Sequence, residues 1–242
     1  MTIPVVEILD YKVYSGLLAE MPLSGPCTVI NTLNAYSYVV AKKDIPFRKA
    51  LKSSTILVAD GFPVVMAAKL LRGEKIQKIA GADIFYHLID YLNKNSLTCF
   101  FLGSSPSTLL KIRDRLALEC PHIRAGFYSP PYKNDFTEAD NIKMIEEINR
   151  VSPDVLFVGM TAPKQEKWVH AHCGSIKASV IASIGAVFDF YAQTKPRPSA
   201  FWIQVNLEWF IRLVREPKRL WKRYLVYSPI FFIDVFRKKT GI

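Results

Sequence analysis

Short apolar runs alternate with amphipathic stretches along most of the chain, and this alternation limits the possible folds more than any other feature. The runs lack the every-second-residue polarity of a half-exposed strand, and such runs are typical of strands buried on both faces of a parallel sheet. The runs are residues 27–31, 56–59, 98–102, 154–158 and 179–184. The stretches with helical periodicity are residues 63–71, 83–94, 106–119, 138–150 and 164–172. This succession predicts an α/β fold with a doubly wound, mainly parallel sheet.

The last 48 residues differ from the rest in charge and aromatic content. Residues 195–242 carry +8 of the formal charge of +11 and ten of the thirty aromatic side chains. The Lys-Pro-Arg-Pro sequence at 195–198 has the composition of a stiff joint. We therefore predict an α/β domain at residues 1–194 and a basic, aromatic-rich helical appendage at residues 195–242.

The sequence has none of the usual marks of a secreted or membrane-spanning chain. Its first residues include neither a basic region nor a long apolar stretch, its four cysteines form no CxxC pair, and Ser228, Pro229 and Asp234 interrupt the apolar tract at 225–236. A spanning helix needs about 20 apolar residues. These observations favour a cytoplasmic protein with reduced thiols that does not cross the bilayer.

Ligands of open α/β sheets bind beyond the carboxyl ends of the strands, so the residues that follow each apolar run are candidate site residues. Asp60 follows one run, at a turn with Gly61, and Thr32 and Asn34 follow another. A carboxylate at this edge could act as a general base on a hydroxyl group, while the hydroxyl and amide groups could bind sugar or nucleotide hydroxyls. A helix cap or an Asx-turn would explain Asp60 equally well, and a helix cap would also explain Asn34.

Two further turns at the same edge precede helices. At Gly103-Ser104, backbone N–H groups could hold a phosphate or could form only a tight turn. Gly159 precedes Lys164 and Gln165. A lysine near a positive helix N-terminus is unfavourable, so Lys164 either serves an anion or is a solvated charge. Neither turn has the GxGxxG or GxxxxGK[ST] pattern, which counts against NAD chemistry and ATP hydrolysis.

Two classes of site lack a sequence signature. The four histidines have no further ligands at metal-binding spacing, so no metal site is predicted. No RRM, KH or zinc signature accompanies the positive charge, so nucleic acid is not a predicted partner.

The appendage combines cationic and apolar stripes. Arg212, Arg215, Arg219 and Arg223 recur every three or four residues, and Trp209, Leu213, Leu220 and Tyr224 recur on another side, with Pro217 interrupting. Such a pattern is typical of a helix that lies on an anionic membrane surface. A solvated basic helix packed on the core is the alternative.

Together these residues resemble the bacterial WecG/TagA/CpsF glycosyltransferase family, from about residue 28 to residue 224. Members of this family add one sugar from a UDP-sugar to a polyprenyl-diphosphate-linked acceptor during synthesis of cell-surface polymers. The motifs that carry the resemblance are Thr32-Leu-Asn-Ala35, Ala59-Asp-Gly61, Lys78-Ile-Ala-Gly-Ala-Asp83, Phe101-Leu-Gly-Ser104, the Pro-Lys-Gln-Glu within 159–168, Gly185-Ala-Val-Phe-Asp189, Leu207-Glu-Trp-Phe-Ile-Arg-Leu213, Glu216-Pro217 and Arg223-Tyr224.

The resemblance implies a Rossmann-like fold, inversion at the anomeric carbon, no metal and no cofactor, with a UDP-sugar as donor substrate. It implies that Asp60 is the general base, that Thr32 and Asn34 lie near the acceptor and catalytic centre, and that Gln165 contacts ligand. It also implies that the appendage docks on the inner face of the bacterial cell membrane and brings arginines over the active site. The substrate-binding residues predicted in all are Lys78, Asp83, Gly103, Ser104, Gly159, Lys164, Gln165, Arg212, Arg215, Arg219 and Arg223.

Three departures from the family pattern leave the donor sugar and the acceptor open. Many members have Glu at the position of Tyr36, Arg at that of Lys78, and Arg-Ala-Pro where this chain has Arg-Pro-Ser at 197–199. Lysine is a point charge where arginine is a bidentate fork. ManNAc, ManNAcA and glucose transfers all occur in the family. The alternative function is a non-catalytic nucleotide-sugar-binding scaffold at the membrane, and a homo-oligomer is compatible with either function.

Overall fold

The computed structural model describes residues 3–23, 27–194, 202 and 207–241. Its strands are β1 (Val5–Ile8), β2 (Tyr11–Tyr14), β3 (Thr28–Leu33), β4 (Ile56–Ala59), β5 (Thr98–Gly103), β6 (Arg124–Tyr128), β7 (Val155–Gly159) and β8 (Val180–Ser183). The first two form an antiparallel hairpin, and the others form a parallel sheet in the order β4-β3-β8-β7-β5-β6. The predicted α/β fold with a parallel sheet is confirmed, and the five predicted strands are β3, β4, β5, β7 and β8.

Helices connect the strands and cover both faces of the sheet. They are α1 (Ala35–Lys43), α2 (Ile45–Lys52), α3 (Phe62–Arg72), α4 (Gly81–Lys94), α5 (Pro106–Glu119), α6 (Glu138–Val151), α7 (Lys164–His172), α8 (Val187–Tyr191), α9 (Glu208–Arg215), α10 (Pro217–Trp221) and α11 (Ser228–Thr240). A π-helical turn, Lys222–Tyr227, lies between α10 and α11. All five predicted helices form within two residues of their predicted ends, since the apolar periodicity and the caps agree there.

The strands without a sequence prediction are the hairpin and β6. β6 lies at an edge of the sheet, where it pairs only with β5. Its residues are half-buried or exposed, unlike those of β4 at the other edge, which are all buried. An apolar run is therefore not required there, and β6 has none.

Three groups of apolar side chains form the core. One lies under α4, α5 and α8 and includes Phe85, Phe101 and Phe157. The second lies on the opposite face of the sheet, under α6 and α7. The third joins the hairpin and helices α1 to α3 to the last helix, α11, whose Phe231 and Val235 are fully buried.

The described part of the tail is helical, and none of the described helices combines the length and apolar character that crossing a membrane requires. Pro217 separates α9 from α10, as expected for a residue that cannot continue a helix. The predicted joint at 195–198 lies outside the described residues. The division at residue 194 stays a prediction.

Candidate active site

The carboxyl ends of β3 and β4 bring Asp60 and Asn34 together. The backbone N–H of Asp60 donates to the carbonyl of Leu33 at 2.8 Å. The side-chain amide of Asn34 donates from Nδ2 to Asp60 Oδ2 at 3.2 Å. Both residues are half-buried. A carboxylate therefore lies at the edge of the sheet with one oxygen held by a neutral amide and the other, Oδ1, able to take a proton.

Asn34 caps α1 and also contacts Asp60. Its Oδ1 accepts from the backbone N–H of Ser37 at 3.0 Å and caps α1, while its Nδ2 binds Asp60. The cap fixes the rotamer of Asn34 and thereby aims the amide at the carboxylate. Asp60 does not cap α3: the cap position is Gly61, which makes no side-chain capping bond and has a φ of 112°, a conformation that favours glycine. The capping interpretation is thus confirmed for Asn34 and wrong for Asp60.

Thr32 and Lys78 lie near this pair at different depths. Thr32 is half-buried within β3, opposite Val58 of β4, and so lies below the edge. The backbone N–H of Ile79 donates to the carbonyl of Ala59 at 2.9 Å, which places the half-buried Lys78 alongside the end of β4. Asp83 has a structural function, because its Oδ2 accepts from the backbone N–H of Ala80 at 2.9 Å and caps α4. Substrate contact by these three residues stays a prediction.

The predicted glycines lie further along the sheet and are explained by close packing. Gly103 and Gly159 are register partners in β5 and β7. A Cβ on Gly103 would lie 2.6 Å from the carbonyl oxygen of Gly159, and a Cβ on Gly159 would lie 2.5 Å from the ring of Phe188. Ser104, with a φ of 61°, accepts from Ser129 Oγ through its carbonyl at 2.7 Å. A tight turn therefore accounts for all three residues, and phosphate contact there stays a prediction.

Lys164, at the start of α7, contacts the chain itself. Its Nζ lies 3.5 Å from the ring centroid of Phe136 and donates to the carbonyl of Lys133. Burial lowers the pKa of its ammonium group. These contacts offset the unfavourable placement of a cation near a helix N-terminus. The expected contact of Lys164 with an anion stays a prediction.

Gln165 is one of four buried polar side chains of β3, β8 and α7, the helix that packs on this face of the sheet, and the four are called the polar cluster below. Its Nε2 donates to Glu166 Oε1 at 2.9 Å. β3 and β8 pair in parallel up to Ile30 and Ala182, so the next residues, Asn31 and Ser183, are neighbours on one face. All four side chains are at least 95 % buried. Within the described part of the chain, four of their atoms have no hydrogen-bond partner: Asn31 Oδ1, Gln165 Oε1, Glu166 Oε2 and Ser183 Oγ.

Burial raises the pKa of Glu166 to about 7, because a charge is costly in an apolar interior. Of the four cluster residues, only Gln165 was predicted. Glu166 adjoins a predicted residue, Asn31 adjoins Thr32 in β3, and Ser183 is a single polar residue at the end of the apolar strand β8. That pattern is the signal that could have identified them.

The carboxyl edge of the sheet, where Asp60 and Asn34 lie, is called the active edge below. Two of the four tail arginines lie against aromatic rings of the helices that follow β3 and β8 at this edge. The guanidinium of Arg223 lies 5.2 Å from the ring centroid of Tyr36, in the first turn of α1. That of Arg212 lies 5.6 Å from the ring of Phe190 in α8, the helix that follows β8. Arg215 is exposed, and the side chain of Arg219 lies outside the described residues.

The predicted apolar stripe of the tail is divided. Leu220 is 3 % exposed, and the Trp209 and Tyr224 rings pack on each other with centroids 5.7 Å apart. Trp209 is nevertheless 39 % exposed, and further exposed apolar side chains of this segment include Val214, Trp221 and Leu225. The stripe predicted for one continuous helix does not form, because Pro217 and the π-helical turn change which residues share a face.

His, Cys, Asp and Glu side chains do not cluster in groups of three or more that could hold a metal ion within the ranges that the structure describes.

Comparison with known proteins places these features in a family. The family model described as "Glycosyl transferase WecG/TagA/CpsF family" matches residues 5–242. The chain is 32 % identical over 213 residues to an N-acetylglucosaminyldiphosphoundecaprenol N-acetyl-beta-D-mannosaminyltransferase of Bacillus subtilis, a match that covers 88 % of this chain and 80 % of the relative. Proteins of the same name in Bacillus spizizenii and Staphylococcus aureus are 30 % and 24 % identical, over 74 % and 81 % of this chain and 67 % and 74 % of the relatives.

Proposed function

Because the chain belongs to the WecG/TagA/CpsF family of glycosyltransferases, we propose that it transfers N-acetylmannosamine from a UDP-sugar to N-acetylglucosamine linked to undecaprenyl diphosphate. The names of the relatives support this sugar and this acceptor. The observation that carries the proposal is the hydrogen bond between Asn34 and Asp60 at the carboxyl edge of the sheet. It orients a carboxylate where an acceptor hydroxyl would arrive.

In the proposed reaction, Asp60 Oδ1 removes the proton from the acceptor hydroxyl while that oxygen attacks the anomeric carbon. The bond between the anomeric carbon and the donor phosphate oxygen breaks, and UDP leaves with the electron pair. Attack from the face opposite UDP inverts the anomeric centre. A positioned base of this kind typically contributes about 10²–10⁴-fold to the rate. The amide of Asn34 holds Oδ2 and stabilises the carboxylate without adding charge.

The departing diphosphate needs positive charge, and the tail can supply it. Arg223 packs on Tyr36 of α1, whose cap is Asn34, and Arg212 packs on Phe190 of α8, which follows β8. β3 and β8 are neighbouring strands. Two guanidinium groups from the tail therefore pack on helices that begin at the carboxyl end of the sheet, where Asp60 also lies. Charge-assisted hydrogen bonds from arginine to phosphate are strong and bidentate, so the reaction as proposed needs no metal ion.

The width of the edge matches an extended donor. Asp60 follows β4 and Gly103 ends β5, with β3, β8 and β7 between them. Four strand spacings of about 4.8 Å give about 19 Å from Asp60 to Gly103. One small group cannot contact both, whereas a nucleotide-sugar can extend along much of this edge. We assign the sugar end to Asp60 and the nucleotide end to the turn at Gly103-Ser104.

We also propose that the tail attaches the enzyme peripherally to the inner face of the bacterial membrane, where the lipid-linked acceptor would lie. Val214, Trp221 and Leu225 are 63 %, 44 % and 59 % exposed. Lys218 and Lys222 are exposed in the same segment. Exposed apolar side chains between cations fit an anionic lipid surface, where each cation contributes about 1 kcal/mol.

Replacement of the proposed base tests the function. Purified protein is incubated with a panel of UDP-sugars and a short-chain polyprenyl-diphosphate N-acetylglucosamine, and the product is identified by mass. We expect transfer from UDP-N-acetylmannosamine, and we expect Asp60→Asn to lower kcat by about 10²–10⁴-fold with little change in UDP binding. Asp10→Asn is the matched control, since Asp10 is exposed in the β1–β2 hairpin.

Two outcomes would overturn these assignments. Full activity of Asp60→Asn would exclude Asp60 as the base. UDP binding without turnover of any donor would exclude the transferase and support a nucleotide-sugar-binding scaffold instead.

A further inference from the structure

Tyr36 contacts the tail through its ring. The guanidinium of Arg223 lies 5.2 Å from the ring centroid, within the range of a cation–π interaction. The ring of Tyr227 lies 5.6 Å away, tilted by 40°. Arg223 and Tyr227 are four residues apart in the π-helical turn Lys222–Tyr227, so both project from one side of that turn. The Tyr36 ring of α1 therefore contacts two side chains of the tail, Arg223 and Tyr227.

The position of Arg223 is electrostatically unusual. Tyr36 lies in the first turn of α1, whose cap is Asn34. The positive end of the helix dipole disfavours a cation there. The faces of Tyr36 and of Tyr224, the latter 5.9 Å from the guanidinium, offset this cost. The guanidinium is thus held against the first turn of the helix whose cap, Asn34, hydrogen-bonds to Asp60, a place where an anion is favoured.

We infer that Tyr36 is a positioning residue that holds Arg223 over the active edge for the diphosphate of the substrate. The identity of the anion rests on the proposed function, whereas the contact between Tyr36 and Arg223 is independent of it. Tyr36 would touch no reacting atom and would act through Arg223. Loss of the ring would leave the arginine in the chain but no longer fixed in place.

The kinetic test compares Tyr36→Leu with Tyr36→Phe. Tyr36→Leu is expected to lower kcat by about 3- to 30-fold, the range that corresponds to one cation–π interaction, with a small change in KM for the acceptor. Tyr36→Phe keeps the ring face and is expected to retain activity within about twofold. In an Arg223→Ala background, Tyr36→Leu is expected to add no further loss, because the two side chains act as one unit. Tyr91→Leu, on the exposed surface of α4, is the matched control.

A second readout is independent of turnover. The ring of Tyr36 should shift the side-chain proton resonances of Arg223 upfield. Tyr36→Leu should remove most of that shift and Tyr36→Phe should keep it, with equal unfolding midpoints for both variants. An unchanged Arg223 spectrum in Tyr36→Leu, or additive losses in the double variant, would overturn the inference. A wild-type protein that shows the shift but transfers no sugar would overturn the proposed function and leave the contact established.

Discussion

The last helix, α11, and the preceding tail segment, residues 207–227, belong to the same cationic tail, but α11 anchors two apolar side chains in the core, whereas the segment exposes several of its own. Phe231 and Val235 of α11 are fully buried against the hairpin and helices α1 to α3. Trp221 and Leu225 are 44 % and 59 % exposed. The tail is therefore not one appendage in physical terms. α11 is part of the folded core, and the segment before it presents side chains to the surroundings and to the active edge.

This difference predicts that substitutions in α11 change stability, whereas those in the exposed segment change binding. The largest effect is expected for Phe231→Ala. Removing a fully buried phenyl ring leaves a cavity and should lower the free energy of unfolding by about 3–5 kcal/mol. Urea unfolding followed by circular dichroism measures it. Phe236→Ala, in the same helix but 53 % exposed, is the control, and equal effects of the two variants would show that α11 is not anchored through Phe231.

The polar cluster should make stability depend on pH. Burial raises the pKa of Glu166 from 4.5 to about 7, so between these values the unfolded chain releases a proton that the folded chain keeps. The free energy of unfolding therefore falls as pH rises through this window. Glutamine does not titrate, so Glu166→Gln should not show this fall. The free energy of unfolding of the variant minus that of wild type should therefore increase by on the order of 1–3 kcal/mol between pH 5 and pH 7.5.

The comparison with wild type cancels the other titrating groups. Unfolding curves in urea at pH 5 and pH 7.5 are needed for both proteins. Glu146→Gln, an exposed change on α6, should give the same offset at both pH values. Parallel pH profiles for Glu166→Gln and wild type would show that Glu166 is not buried as the structure describes.

A smaller effect is expected at the polar anchor of α11. Asp234 Oδ2 accepts from Lys42 Nζ at 2.6 Å and from the Tyr38 hydroxyl at 3.0 Å. Burial raises the pKa of Tyr38, and the Asp234 carboxylate adds to this rise. Asp234→Asn removes the ion pair but keeps an acceptor for Tyr38, so a loss of about 0.5–1 kcal/mol is expected.

Differential calorimetry can measure that loss. Asp90→Asn removes another ion pair at 2.6 Å, with Lys94, whose side chains are both exposed. Its effect should be smaller, since exposed pairs contribute little. A larger loss for Asp90→Asn than for Asp234→Asn would contradict the anchoring of α11 through Asp234.

The sheet and its active edge could be predicted because they follow from local patterns. Apolar runs located β3, β4, β5, β7 and β8, and the rule that ligands bind at the carboxyl ends of parallel strands selected Asp60 and Asn34. In the structure these two residues are joined by a hydrogen bond at 3.2 Å. Their roles in binding and catalysis stay predictions.

Contacts between distant parts of the chain could not be predicted in this way. The burial of Phe231 depends on the packing of α11 on α1, almost 200 residues earlier in the chain, and periodicity does not tell which surface a helix covers. The ring of Tyr36 is a comparable case, because its tail partners are known only once α11 has fixed the path of the π-helical turn. The local sequence states the chemistry of such residues, but tertiary packing decides what they contact.

The smallest change in stability, with the largest change in binding, is expected for the exposed segment. The double variant Trp221→Ser, Leu225→Ser should alter the free energy of unfolding by less than about 0.5 kcal/mol, since neither side chain is part of the core. Each apolar side chain buried in a membrane interface contributes about 1.5–3 kcal/mol, so binding to anionic vesicles should fall by more than tenfold. Vesicle flotation measures this binding.

The control for this double variant is Leu118→Ser on α5, because Leu118 is 85 % exposed but lies outside the tail. Loss of vesicle binding in both proteins would show that general surface hydrophobicity is responsible. Vesicle binding that persists in the double variant at low salt and disappears at high salt would assign attachment to the cations, since salt screens exposed charges but not apolar contacts. If residues 207–227 bind the membrane through apolar side chains and α11 belongs to the core, the double variant should lose vesicle binding at all salt concentrations and keep its unfolding midpoint.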